Sequence, residues 1–307
     1  MKITKYNSAY LVISAVFCTM LWGTAFPAIK IGYELFRIEA DDIPTKLIFA
    51  GARFLLAGII VLSAGAVSGK NKTKILLNKN DLIPVGILAL FQTFLQYLLL
   101  YIGLTSISGT RSSILTSVSA FGSVILSAVF WKSDRLTAFK ITGCLVGISG
   151  IVLMNIRPGS LEGFTLLGDG IVILSNLSGA AGNVISKKIS SGRHPAQISG
   201  WQLTIGGTAL ILTGFLTGGR LTFYDINCLW ILLYLAAMAG TAFLLWTKLL
   251  FIYPVSKVGV FNMLIPVFGT LWSGIFLGED IFTMGNIASL LLVCSGIFLV
   301  NYHKKEK

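Results

Sequence analysis

Ser149-Gly-Ile-Val-Leu-Met-Asn155 returns close to the C-terminus as Ser295-Gly-Ile-Phe-Leu-Val-Asn301. Each copy closes a long apolar run, and a Phe-Gly pair precedes each at nearly the same distance, Phe121-Gly122 before the first and Phe268-Gly269 before the second. Leu21, Gly23, Ala25 and Ile29 of the first apolar run align in the same way with Leu177, Gly179, Ala181 and Ile185 of the sixth. Arg53 then falls opposite Gln202, and Tyr101 opposite Lys248. The pattern predicts two related halves, residues 1–156 and 157–307.

The runs themselves predict an all-α polytopic membrane protein with ten transmembrane helices. They are Ala9–Tyr33, Lys46–Val67, Leu82–Leu104, Ile107–Trp131 and Leu136–Asn155, then Phe164–Ser190, Pro195–Thr217, Cys228–Ile252, Ser256–Leu277 and Ile281–Tyr302. Each has about the 20 residues that cross a hydrocarbon core at 1.5 Å per residue. Helix is required because lipid offers the backbone no partners, and the short alternating segments of a barrel are missing. Five spans is an odd number, so the second half enters the bilayer inverted, the 5+5 arrangement that secondary transporters use.

Composition agrees. Of 307 residues 55% are apolar and only 12% charged, too little charge to cover a soluble core of this size. The net charge of +12 does not mark a nucleic-acid binder, because Lys and Arg sit in short clusters between apolar runs rather than on one solvated face. With both termini placed in the cytoplasm, 17 of the 24 Lys and Arg fall on the cytoplasmic side and 6 outside, with Arg53 inside a span. The expected location is the inner or plasma membrane. Lys2 and Lys5 before an apolar run resemble a signal peptide, but Trp22, Phe26 and Pro27 stand where small cleavage-site residues belong, so the run reads as the first span.

No metal or redox spacing joins Cys18, Cys144, Cys228 and Cys294, and His194 and His303 lie near helix ends, so neither a metal site nor a cofactor is expected. A Walker-type glycine loop is missing, which excludes direct use of ATP. An embedded enzyme would need nucleophiles, acids or histidines converging at one depth, and none do.

In the first span Trp22-Gly23-Thr-Ala-Phe26-Pro27-Ala-Ile-Lys30 resembles the opening of EamA-type transporters, the ten-helix branch of the drug/metabolite transporter superfamily. Arg53-Phe54-Leu-Leu-Ala-Gly58, Leu167-Gly168-Asp169, Trp201-Gln202, Pro266 and Leu277-Gly278-Glu279 follow in the family's order across the whole chain. Ser119 stands where the family often has proline, and Trp131-Lys132 where the second half has Gly278-Glu279. The resemblance implies a central cavity lined by the first, third, fourth, sixth, eighth and ninth spans, with amino acids, related metabolites or drugs as substrates. A secondary transporter, an exporter by alternating access, is the leading expectation. A flippase or exchanger for lipid-linked or nucleotide-linked sugars, and a receptor or structural protein, are the alternatives. The expected partners are a small-molecule substrate and the bilayer, and the chain is a monomer or a homodimer.

Charge inside a membrane costs about 2.5–3.5 kcal/mol per residue on insertion scales, so each intramembrane charge needs a reason. Arg53 either grips a substrate carboxylate or phosphate, or snorkels and bonds backbone carbonyls. Lys30, Lys248 and Arg111 lie near span ends, as interface anchors or as cations at the cavity mouths. Together with Arg53 they suggest a cavity that tolerates anionic groups. Gln92, Gln96, Asn176, Asn183, Gln202 and Asn262 offer orienting hydrogen bonds or interhelical ones, and Gln92 and Gln96 share one face of the third span. Trp22, Trp246 and Tyr101 are aromatic cavity candidates. Gly23, Pro27 and Pro266 are hinge candidates. No acid lies at mid-membrane, and Asp169 at the sixth span's outer end is either a coupling acid or a solvated helix-end residue.

Overall fold

The computed structural model describes residues 8–68, 75–107, 109–155, 165–277 and 284–302. Among them there is no strand, and the helical stretches follow one another as α1 (Ser8–Leu35), α2 (Ile43–Ser68), α3 (Lys79–Gly103), α4 (Gly109–Phe130), α5 (Ala138–Asn155), α6 (Leu166–Lys188), α7 (Pro195–Leu216), α8 (Ile226–Ile252), α9 (Val255–Leu277) and α10 (Met284–Asn301). Five are long and apolar enough to cross a membrane: α1, α2, α3, α8 and α9; shorter apolar stretches lie in α4, α5 and α10. Helices α6 and α7 carry more Ser, Thr, Asn and Gln, but Ser175, Ser178, Asn183, Ser199 and Gln202 among these are buried, so they dilute hydropathy without facing lipid.

Many large apolar side chains point outward, including Val129, Leu166, Leu216, Phe215 and Leu291. A soluble monomer rarely exposes so much apolar surface, whereas lipid accepts it.

Packing runs through small residues. Helix α2 lies along α7, where a Cβ on Gly51 would stand 2.6 Å from the Gly207 carbonyl oxygen. Helix α5 lies along α10, where a Cβ on Gly143 would stand 2.7 Å from the Gly296 carbonyl oxygen. Gly147 packs on Met263 of α9, so both glycines are engaged within the chain rather than offered to a second copy. Helix α1 rests on α8 and α9, and α6 rests on α3 and α4.

Three helices are irregular where they meet the interior. In α3 a π-helical stretch, Leu90–Leu95, interrupts the α-helix. The Phe91 and Gln96 carbonyls at its two ends accept hydrogen bonds from Ser178 (2.7 Å) and Ser175 (2.6 Å) of α6. In α9 a 3-10 turn, Val260–Met263, precedes Pro266. Proline has no N–H for the Asn262 carbonyl, which is where the helix tightens. Helix α6 opens with a π-turn, Leu166–Gly170. Pro27 lies within an uninterrupted α1. Gly23, one turn before it, lies tight against α9, since a Cβ there would stand 2.5 Å from the Phe268 Cβ.

The connections gather at two ends. At one, residues 75–78, 131–137, 189–194 and 253–254 meet: Trp201 Nε1 donates to the Ile75 carbonyl (2.8 Å), Arg193 pairs with Asp81 (2.8 Å), and Lys187 Nζ donates to the Phe251 carbonyl (2.9 Å). At the other, residues 36–42 meet 217–225: Thr45 Oγ1 accepts from the Arg220 N–H (3.1 Å), and Arg37 lies 4.3 Å over the Tyr224 ring. These are called below the Asp134 end and the Arg37 end. Lys2, Lys5, Lys74, Gly278, Glu279, Asp280 and His303 lie outside the described residues, as does the Arg111 side chain.

Candidate functional site

Asn183 of α6 is the hub of the interior. Its Oδ1 accepts from Gln92 Nε2 of α3 (3.2 Å) and from Trp246 Nε1 of α8 (3.0 Å), and its Nδ2 donates to Ser123 Oγ of α4 (3.2 Å). Four helices are thereby tied at one buried amide, which is 3% exposed. The glycines of α6 permit it: Gly182 receives Gln92, and Gly179 receives the Gln96 amide, so the shared face of α3 turns toward α6. A second tie joins Asn262 Nδ2 of α9 to Ser119 Oγ of α4 (3.1 Å). A third joins Thr93 of α3 to Gln202 Oε1 of α7 (2.7 Å).

From the hub a ladder of rings runs across the bundle. Trp246 meets Trp22 edge-on at 5.0 Å, Trp22 meets Phe243 at 5.4 Å, Phe243 meets Phe54 at 6.1 Å, and Phe54 meets Tyr97 at 4.5 Å between centroids. Arg53 stands at its far rung, with its guanidinium carbon 4.5 Å over Phe54 and 5.6 Å over Tyr97. Tyr101 is buried in the same apolar cluster as Phe54 and Phe243.

Arg53 is 4% exposed and makes no hydrogen bond or ion pair among the described residues, and its Nε is buried without a partner. It sits ten residues into α2, about 15 Å from the helix start at 1.5 Å per residue. Neither snorkelling nor bonding to backbone carbonyls describes it: the head is held inside, on aromatic faces. The Trp22 indole N–H and the Gln202 Nε2 are likewise buried without partners.

The other candidates lie apart from this centre. Lys30 is exposed and lines an open cavity of about 530 Å³ at the Arg37 end, with Tyr33, Glu34, Arg37, Glu39 and Lys46. Lys248 is exposed beside the Tyr10 ring. Asn176 donates to the Val172 carbonyl of its own helix (2.9 Å). Asp169 is buried, not solvated: its Oδ2 accepts from the Thr165 N–H (2.7 Å) and hydroxyl (2.9 Å) and fixes the start of α6.

Sequence reasoning missed the strongest polar cluster. Asp134, in the turn between α4 and α5, accepts from Ser127 Oγ, from Lys140 Nζ (2.5 Å), and from both the N–H (3.2 Å) and the hydroxyl (2.5 Å) of Ser256 at the start of α9. Burial by itself raises this carboxyl, but the bonds from Lys140, Ser127 and Ser256 outweigh it and hold the group below the ordinary aspartate range. The one available signal was an acid surrounded by Lys132, Arg135 and Lys140 in a short loop. Every described Asp and Glu lies near a helix end or in a connection: Glu34, Glu39, Asp41, Asp42, Asp81, Asp134, Asp169 and Asp225. No group of three His, Cys, Asp or Glu among the described residues is arranged to hold a metal.

The sequence model of the EamA-like transporter family matches residues 9–156 and again 166–302. The chain belongs to the EamA-like transporter family. It is similar to the uncharacterized transporter YvbV of Bacillus subtilis, at 27% identity over all of this chain and 95% of that one. An uncharacterized transporter of Archaeoglobus fulgidus is 28% identical over 91% of this chain and 94% of its own. A WAT1-related chloroplastic protein of Arabidopsis thaliana is 25% identical over 92% of this chain and 67% of the plant protein. One chain of known crystal structure superposes with a TM-score of 0.78 at 17% identity, covering 96% of this chain and 97% of that one, which shows the fold. This EamA-like protein is thus a multi-pass membrane transporter, and its family and relatives point away from catalysis.

Proposed function

We propose that this protein is a secondary transporter that exports small metabolites (amino acids, related metabolites or drugs) by alternating access between two inverted five-helix halves, 1–156 and 157–307. Ten spans, with both termini in the cytoplasm of a cell whose plasma membrane holds the protein, complete the reading. The observation that carries it is the mirrored helix pairing around one buried centre. Exchanging the halves turns α1 on α8 and α9 into α6 on α3 and α4, while α2 on α7 and α5 on α10 map onto themselves. The two separate stretches that match the family speak for the same division.

Transport then follows from two packings of similar free energy, each sealed at one end. In the one described here the Asp134 end, read as cytoplasmic, is closed by hydrogen bonds. The Arg37 end, read as external, carries an open depression lined by the end of α1, the α1–α2 connection and the start of α2. Substrate would meet Trp22, Arg53, Gln92, Tyr101, Asn183 and Trp246, with Gly23, Pro27 and Pro266 where α1 and α9 rock. Coupling through Asp169 would require its carboxylate to leave Thr165. The chain operates as a monomer or homodimer and needs no cofactor.

Counterflow in proteoliposomes loaded with pooled metabolites, with and without a pH gradient, tests carriage. Single cysteines at Arg193 and Arg220 in a cysteine-free background should label from opposite sides of the membrane. Labelling of both from one side would sink the inverted arrangement.

A further inference from the structure

The interior contains a cation that nothing in the described protein neutralises. Arg53 is 4% exposed, has no acid within reach, and keeps a buried Nε without an acceptor. Aromatic faces attract a guanidinium by about 0.5–2 kcal/mol each, which is less than an unpaired buried charge costs. The remaining compensation is supplied by no described residue, which leaves the guanidinium free to take an anion. Its Phe54 and Tyr97 neighbours continue through Phe243 to Trp22, whose indole N–H is also unsatisfied. The unmet donors Arg53 Nε and Trp22 Nε1 lie on the ladder itself, the unmet acceptors Gln92 Oε1 and Asn262 Oδ1 are neutral amide oxygens, and the walls are flat and apolar.

An ammonium group would find neutral amide oxygens there but no carboxylate among the described residues. No described Asp or Glu lies along the ladder, since all of them sit near helix ends or in connections. A zwitterion would place one charge well and leave the other without a carboxylate, at a cost of the same kind as an unpaired ion.

We infer that the substrate class is a small organic acid of single negative charge with a flat, apolar body and no ammonium group. Its carboxylate is held by the two-pronged guanidinium of Arg53, and its body lies among Phe54, Tyr97, Phe243 and Trp22. This rests on the carrier reading for its meaning as a substrate and narrows that reading by leaving amino acids out, but the binding chemistry stands on Arg53 alone.

Phenylacetate, phenylalanine and phenethylamine share one ring and differ in charge, so they separate the possibilities. Titrated into purified full-length protein in detergent at neutral pH, phenylacetate should bind about tenfold or more tightly than the other two. Arg53→Gln should weaken phenylacetate by a similar factor, while Arg53→Lys should restore part of it. Equal or tighter binding of phenylalanine or phenethylamine by the unaltered protein overturns the inference, whether or not the variants fold. Phenylacetate affinity unchanged in Arg53→Gln overturns it as well. Phenylacetate binding that depends on Arg53, without counterflow of any pooled metabolite, supports the anion site and removes the carrier reading. Counterflow of amines without phenylacetate binding does the reverse.

Discussion

The two ends of this molecule are built from different chemistry. At the Asp134 end one carboxylate collects four donors from α4, α5 and α9, Lys187 ties α6 to the end of α8, and Arg193 pairs with Asp81. At the Arg37 end Lys30, Arg37 and Lys46 are spread with Glu34 and Glu39 around an open cavity, and none of these five makes an ion pair among the described residues. The Asp134 end is thus held by directional bonds, of which the two from Ser256 join α9 to the turn between α4 and α5. The open end depends on packing and on charges that water solvates.

The largest effect that would break this contrast is the loss of Asp134. Asp134→Ala leaves Lys140 buried without its acid and frees both Ser127 and Ser256, so a loss of about 3–5 kcal/mol is expected. A fall in Tm together with faster hydrogen exchange at 131–137 and 253–257, and little change at 36–42, would bear out the contrast. Uniform loosening of both ends would not. Acid should act on the same bonds. The folded carboxyl titrates below its unfolded value of about 3.9, so its contribution is fully present above that value. It is lost as pH falls through the depressed folded value, and exchange at the Asp134 end should stay slow from neutral pH down to about 4 and quicken below it.

A smaller effect is expected at the centre that both ends share. Asn183→Leu leaves Gln92, Trp246 and Ser123 without their partner, costing about 2–3 kcal/mol by thermal unfolding. Both ends should loosen equally, because the hub ties helices that run to each.

The smallest concerns Arg37, which follows α1 with a positive φ of 52°. The Ile38 N–H reaches back to the Tyr33 carbonyl (2.8 Å) and the Arg37 N–H to Glu34 (3.1 Å), the closing turn in which glycine is usual. Arg37→Gly relieves about 1 kcal/mol of backbone strain and forfeits about as much from the Tyr224 stack, so Tm should barely move. Arg37→Ala keeps the strain and loses the stack, and should be the less stable of the two by about 1 kcal/mol. A large effect from either would mean that the Arg37 end is held by more than packing.

Much of the centre was legible in the sequence, but not its bonds. Intramembrane polarity singled out Arg53, Gln92 and Asn183, because such residues are expensive in lipid wherever they point. The spacing of Gln92 and Gln96 foretold their common face. It could not foretell that the face would meet Gly179 and Gly182, nor that Ser175 and Ser178 would take the carbonyls at the ends of the π-helical stretch in α3. The glycine spacing of α5 does not say whether Gly143 and Gly147 serve this chain or a second copy, and α9 and α10 engage them. Asp134 went unremarked because a loop acid among basic residues has the same composition whether solvated or buried.

The sequence by itself determined that the chain lives in lipid, that it is helical, and that its two ends of text repeat. Hydropathy, backbone hydrogen bonding and small-residue spacing are local properties, summed along the chain. Only the tertiary structure decided which polar groups meet. Asp134 finds Ser256 across 122 residues, Asn183 finds Gln92 across 91, and Arg53 finds no partner in the described protein. Those outcomes depend on how each helix is rotated and offset against its neighbours. A shift of one residue turns a side chain by about 100° and exchanges one partner for another without changing the composition of any span.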